Sequence, residues 1–161
     1  MNPLFYIALF SFGIFALAQS AHVVETGITA KQLSVRILSV DKLKSIAGGL
    51  ELSFSIAIDN PTNKSLSLKK PYIRILLNGE EIANGTPSPT VSVLKANERT
   101  VIKGISIGIP YSNIPGILIA LTGNKKTNAI ITIEVKLEAG GIKATESRNY
   151  KLDDLIKQFS T

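Results

Sequence analysis

From residue 50 to residue 58 the chain sets Leu50, Leu52, Phe54, Ile56 and Ile58 at every second position, with Glu51, Ser53, Ser55 and Ala57 between them. A period of two over this length is the repeat of a β-strand and not of a helix, so the stretch predicts a strand with one oily and one wet face. Asp59-Asn60-Pro61-Thr62-Asn63 ends it, because proline donates no ladder hydrogen bond and pushes the residue before it to extended geometry. Ile73, Ile75 and Leu77 then alternate with Tyr72, Arg74 and Leu76. Asn78-Gly79 follows, a pair that tolerates two positive φ angles and so fits a two-residue type I′ hairpin. A chain built on this stretch is committed to an antiparallel sheet with a buried side.

The same patterning continues in both directions. Leu33, Val35 and Ile37 alternate with Ser34 and Arg36, predicting a strand over residues 32–40, and the polar run 41–49 reads as a connection ending in Gly48-Gly49. A short strand is expected over residues 90–94. Residues 100–109 put Val101, Ile105, Ile107 and Ile109 on one predicted face, closed by Pro110. Residues 128–138 place Ile131, Ile133, Val135 and Leu137 inward, and Gly140-Gly141 turns the chain into a last strand over 142–150.

Two helical spacings interrupt the strands. Ser112-Asn113 can cap a helix carrying Ile114, Ile117, Leu118 and Leu121. Behind Asp153-Asp154, Leu152, Leu155, Ile156 and Phe159 repeat the i, i+3, i+4, i+7 pattern, which either closes one end of the core or offers a contact to a partner. The whole predicts an immunoglobulin- or fibronectin-III-like antiparallel β-sandwich over residues 32–161, with one or two short helices.

Ahead of it lies a different kind of sequence. Residues 4–18 carry no charge, and Leu4, Phe5, Tyr6, Ile7, Leu9, Phe10, Phe12, Ile14, Phe15 and Leu17 predict a hydrophobic helix there. Extension to Val24 reaches the roughly 20 residues that span a bilayer, with Gln19, Ser20 and His22 at the interface. The ending Ala16-Leu17-Ala18 also fits a signal cleaved after Ala18, although the positive n-region of a signal is missing. We read residues 1–24 as a membrane anchor, or alternatively a signal segment, and 25–31 as a linker. Lys31, Arg36, Lys42 and Lys44 flank the segment on its C-terminal side, which would hold the domain inside, whereas export would place it outside.

Chemistry is scarce in this chain. Its 161 residues contain no cysteine and one histidine, His22 in the leader, which leaves no thiolate or imidazole in the domain for a nucleophile or a metal. Gly104-Ile105-Ser106-Ile107-Gly108 matches a nucleophile elbow in letters, but Ser106 falls mid-strand with no histidine to serve it. The net charge of +6 permits weak attraction to phosphates or anionic lipid, while solvated strand edges account for it more simply. Few aromatics accompany the lysines, so a base-stacking platform is not expected. No catalytic residue, cofactor, metal, nucleic acid or small-molecule substrate is therefore expected; the expected partners are a lipid bilayer and proteins of an assembly.

A strand ending in Asp59-Asn60-Pro61-Thr62, then Leu66-Ser67-Leu68, Tyr72 to Leu77 and the Asn78-Gly79 turn, resembles the late-embryogenesis-abundant type 2 family, or WHy domain. The resemblance covers residues 32–150 and implies a seven-stranded sandwich with a helix, no enzymatic chemistry, and roles in stress protection or at membranes. Asn60, Pro61, Asn78 and Gly79 are its motif residues, with Asn60 expected to satisfy backbone groups beside Pro61. The functional expectation is a membrane-anchored structural module of an envelope-associated or virion-like assembly. The alternative is a secreted or periplasmic stress-protection protein.

Overall fold

The computed structural model describes residues 32–114 and 128–159. The chain divides into two units, Met1–Gln32 and Leu33–Thr161, and the description concerns the second. The leader and the helix expected after Ser112 lie outside the described residues.

Three strands form one antiparallel sheet in the order β1-β2-β7: β1 is Ser34–Ile46, β2 is Gly49–Asn60 and β7 is Glu98–Pro110. Four form a second, ordered β5-β4-β8-β9: β4 is Tyr72–Leu77, β5 Glu80–Gly85, β8 Ile130–Ala139 and β9 Ile142–Lys151. A separate two-residue pair joins β3 (Leu66–Ser67), between β2 and β4 in the chain, to β6 (Val93–Leu94), between β5 and β7. A 3-10 turn, Tyr111–Asn113, follows β7, and the helix α1, Leu152–Phe159, follows β9. Among the described residues the protein is thus mainly β, antiparallel throughout, with one short helix.

The two larger sheets share one core. Phe54, Ile56 and Ile58 of β2, Ile73 and Ile75 of β4, and Ile133 and Val135 of β8 are fully shielded from solvent in a single cluster. Each large aliphatic or aromatic side chain removed from water in this way contributes about 1.5–3 kcal/mol, which makes the alternation of the sequence the main source of stability. Edges approach on both flanks as well. A Cβ placed on Gly85 of β5 would stand 3.1 Å from Ile107 Cδ1 of β7. Arg148 of β9 donates to the Ile37 carbonyl of β1 at 2.6 Å.

Four local readings of the sequence are corrected. The polar run 41–49 is mostly strand: β1 continues to Ile46 as an edge, helped by irregularities between Ile37 and Ser39 and between Val40 and Lys42. In β2 the face expected to be wet is buried, because β2 is the central strand. Ser53 Oγ lies 2.7 Å from Ser106 Oγ, and Ser55 donates to Asp41. In β7, Val101 points out at 43% exposure and Ile102 takes the inward place at 1%. The cause is Gly104, whose φ of +68° accompanies a register shift between Phe54 and Ile56 and reverses the inside-outside parity. The strand expected over residues 90–94 shrinks to Val93–Leu94.

The turns follow their glycines. Asn78 (φ 51°) and Gly79 (φ 89°) join β4 to β5 with Leu77 opposite Glu80, the geometry of a type I′ hairpin. Gly140 and Gly141 do the same between β8 and β9.

Candidate interaction surfaces

Every described strand end belongs to one of two poles. At the near pole β1 begins: Ser34 stands opposite Asp59, and Asn60 opposite Glu98. β3 and β6 cover this pole. The β8–β9 hairpin joins it through the Leu68–Ala139 bridge and the Gly140 amide on the Ser67 carbonyl. At the far pole lie the β1–β2 and β4–β5 turns, the 3-10 turn and α1, held together by Tyr111 on Gly48, Asn78 on Ile130 and Leu152 on Ala129.

Asn60 is the buried polar centre of the near pole, at 1% exposure. Its Nδ2 shares its two hydrogens among the carbonyls of Lys64 (2.9 Å), Leu94 (3.2 Å) and Lys95 (2.9 Å). Its Oδ1 accepts from Thr62 N at 3.2 Å and Thr62 Oγ1 at 2.7 Å. One side chain therefore ties the end of β2 to the chain after Pro61 and to the chain leaving β6. Pro61 sits in the loop beside it, half-buried. Asn78 also acts beyond its turn, since its Oδ1 accepts from the Ile130 amide at 2.9 Å.

The residue before Asn60 holds charges instead of carbonyls. Arg99 Nε donates to Asp59 Oδ1 at 2.6 Å, and Arg36 donates to Oδ2 at 3.1 Å. The Arg99 guanidinium, aided by Arg36, holds the Asp59 carboxyl below the usual carboxylate range against the opposing effect of partial burial.

On the outer face of the four-stranded sheet, side chains that the sequence keeps far apart meet. Tyr72, Lys136 and Thr145 form one cross-strand row, and Glu138 faces Lys143 in the next. With Lys69 and Lys70 they line a hollow of about 300 Å³. Lys69 Nζ donates to Glu138 at 2.6 Å and lowers that carboxyl's pKa. Lys70, Lys136 and Lys143 are exposed and form no ion pair among the described residues.

Of the α1 residues expected to contact a partner, Leu152 and Leu155 are 2% and 3% exposed and belong to the core, while Ile156 and Phe159 pack against it half-buried. The helix closes the far pole. Ser106 sits mid-strand on β7 with its hydroxyl against Ser53, as in an ordinary strand face and unlike a nucleophile elbow. The anchor residues lie outside the described region, and among the described residues no helix is long and apolar enough to cross a membrane.

Two features escaped the sequence. The lysine hollow draws on a loop and three strands, and only the cross-strand register brings them together. The grip of Arg36 and Arg99 on Asp59 likewise needs the β1-β2-β7 order. Its one local signal was a charge placed before the Asn-Pro break.

The sequence matches no family model and no curated protein. Among solved structures, the chain is similar to a protein from Archaeoglobus fulgidus at 16% identity and a TM-score of 0.48, covering 72% of this chain and 97% of that one. A protein from Arabidopsis thaliana shares 19% identity at a TM-score of 0.45, covering 76% and 80%. A candidate late embryogenesis abundant protein shares 16% at 0.46, covering 85% and 87%.

Proposed function

We propose that this chain is a non-enzymatic, membrane-anchored β-sandwich module of the late-embryogenesis-abundant type 2 kind, of immunoglobulin- or fibronectin-III-like fold. In this reading it serves as a structural contact component of an envelope-associated or virion-like assembly. The observation that carries it is a division of labour along the chain. Residues 4–18 are apolar and free of charge, whereas the buried polar side chains of the sandwich are engaged within it, Asn60 on backbone carbonyls, Ser53 on Ser106 and Ser55 on Asp41. A leader of this kind partitions into a bilayer and leaves the domain to make contacts at its surface. Asn60 and Asn78 support the family reading, because each fastens the backbone beside its turn or break.

Flotation of the full chain with neutral phosphatidylcholine vesicles tests the anchor, together with mass spectrometry of the N-terminus after expression in a secreting host. Co-flotation of a chain that retains residues 1–18 is the expected result. A mature chain beginning at Gln19 that stays in the aqueous fraction would overturn it. That outcome would favour the alternative, a secreted or periplasmic stress-protection protein, which the Ala16-Leu17-Ala18 ending supports.

A further inference from the structure

The near pole is where the chain enters the domain, since β1 starts there at Ser34. It is also where the exposed lysines gather. Lys64 and Lys95 flank the Asn60 cluster, and Lys69, Lys70, Lys136 and Lys143 surround the hollow beside the β8–β9 hairpin. All six are exposed. Of the acids at this pole, Asp59 is held by Arg36 and Arg99 and Glu138 by Lys69, which leaves Glu98 as the one acid without an ion pair among the described residues. Val93 of β6, at 49% exposure, is an apolar side chain set among these cations. The far pole mixes the two signs: Glu81 is paired with Arg74 and Glu51 with Lys44, and the acids at the start of α1 share that end with Lys151 and Lys157.

We infer that the near pole docks on an anionic lipid surface, its lysines meeting headgroup phosphates and Val93 entering the headgroup layer. The inference rests on the anchored reading, in which the chain that reaches Ser34 comes from a bilayer-bound leader, so that the pole where β1 begins is the one tethered by the shortest stretch of chain. Charge complementarity supplies the attraction, because a leaflet of anionic lipid draws in basic groups within a Debye length. An apolar side chain among lysines suits the boundary between headgroup and acyl chain. Nucleic acid offers the same phosphates, but Tyr72, half-buried in the hollow, is the one aromatic beside these lysines among the described residues, and a single partly covered ring makes no platform for successive bases.

Because the chain has no cysteine, one introduced thiol reports one place. The full chain is reconstituted with a donor dye at Ser92→Cys, beside Val93, or at Glu80→Cys on the far hairpin, in vesicles carrying a headgroup acceptor. Transfer from position 92 is expected to rise when phosphatidylcholine is replaced by a mixture with phosphatidylglycerol. The rise should vanish at about 1 M salt and in the K70Q/K136Q/K143Q variant, while position 80 shows none. A charge-matched control, K42Q/K151Q/K157Q, should keep it. Equal transfer in both lipids, or a rise at position 80, would overturn the docking. If the chain fails to float with neutral vesicles, the anchor falls separately. Docking is then read from flotation with phosphatidylglycerol vesicles, where the triple lysine variant should bind roughly 100-fold more weakly. Retention of single-stranded DNA without any binding to those vesicles would overturn the lipid assignment.

Discussion

Asn60 is short enough to fit under the β3–β6 pair and carries both a donor and an acceptor end, and the near pole uses both. Alanine at this position leaves the carbonyls of Lys64, Leu94 and Lys95 without their amide donor. Buried acceptors stripped of a partner cost about 1–3 kcal/mol each, part of which water can recover at a pole, so Asn60→Ala should lose about 3 kcal/mol in urea unfolding. Asn60→Asp keeps the shape but aims a carboxylate at three carbonyl oxygens, and should lose more than alanine does at pH 7. A loss below about 1 kcal/mol for alanine would show that the asparagine is incidental. Asp59 makes a prediction of opposite origin. Its carboxyl titrates lower in the folded chain because Arg99 and Arg36 hold the ionised form, so its contribution is present above the unfolded pKa near 3.8 and is lost as pH falls through the folded value. The melting-temperature gap between the wild type and Asp59→Asn should therefore be widest near neutrality and close toward pH 3. A gap that widens in acid would reverse the sign and refute the account.

At the scale of elements, strands with clean alternation and glycine-bearing turns were legible, and those whose alternation breaks were not. β4, β8 and both two-residue hairpins follow directly from apolar spacing and from Asn78-Gly79 and Gly140-Gly141. β7 misleads because a bulge cannot be seen in a hydrophobicity pattern: Val101 has the right residue type for the core, and only the left-handed Gly104 turns it outward. β1 misleads for another reason, since an edge strand with an exposed face is polar enough to pass for a loop. Asn60 was legible as a backbone fastener because Pro61 next to it creates the need, whereas the lysine hollow depends on the pairing of β4, β8 and β9. Two glycines separate conformational from steric demands. A Cβ on Gly104 would meet nothing within 4 Å, so Gly104→Ala tests backbone strain alone and should cost about 1–2 kcal/mol. A Cβ on Gly49 would fall 2.3 Å from the Ile109 carbonyl oxygen, so Gly49→Ala must push β2 and β7 apart and should cost more than Gly104→Ala. Urea unfolding of the pair checks the order, and the reverse order would mean that the ladder between these strands yields easily.

Taken as a whole molecule, the sandwich has two seams where sheet edges meet, β5 beside β7 and β1 beside β9, and charges guard the second. β9 turns Glu146 and Arg148 toward the core side, opposite the fully buried Val135 and Ile133, where a central strand would carry aliphatics. Charges pointing inward from an edge keep another strand from adding there, and Arg148 also closes the seam by donating to the Ile37 carbonyl while lying 5.6 Å from the Tyr150 ring centre. Tyr150 is held above its ordinary pKa by the same burial. Glu146 bears the cost of this arrangement: burial raises its carboxyl pKa, and the pull of Arg148 and Arg36 does not offset it. An acid whose folded pKa is raised costs nothing below its unfolded value near 4.5, and its ionised form then subtracts stability as pH climbs through the folded value. Glu146→Gln keeps the shape without the charge. It should melt above the wild type at pH 7 and converge with it by pH 4, as read by thermal unfolding across that range. If glutamine lowers the melting temperature at pH 7, the attraction of the two arginines outweighs burial, and Glu146 is a fastener of the seam instead of its cost.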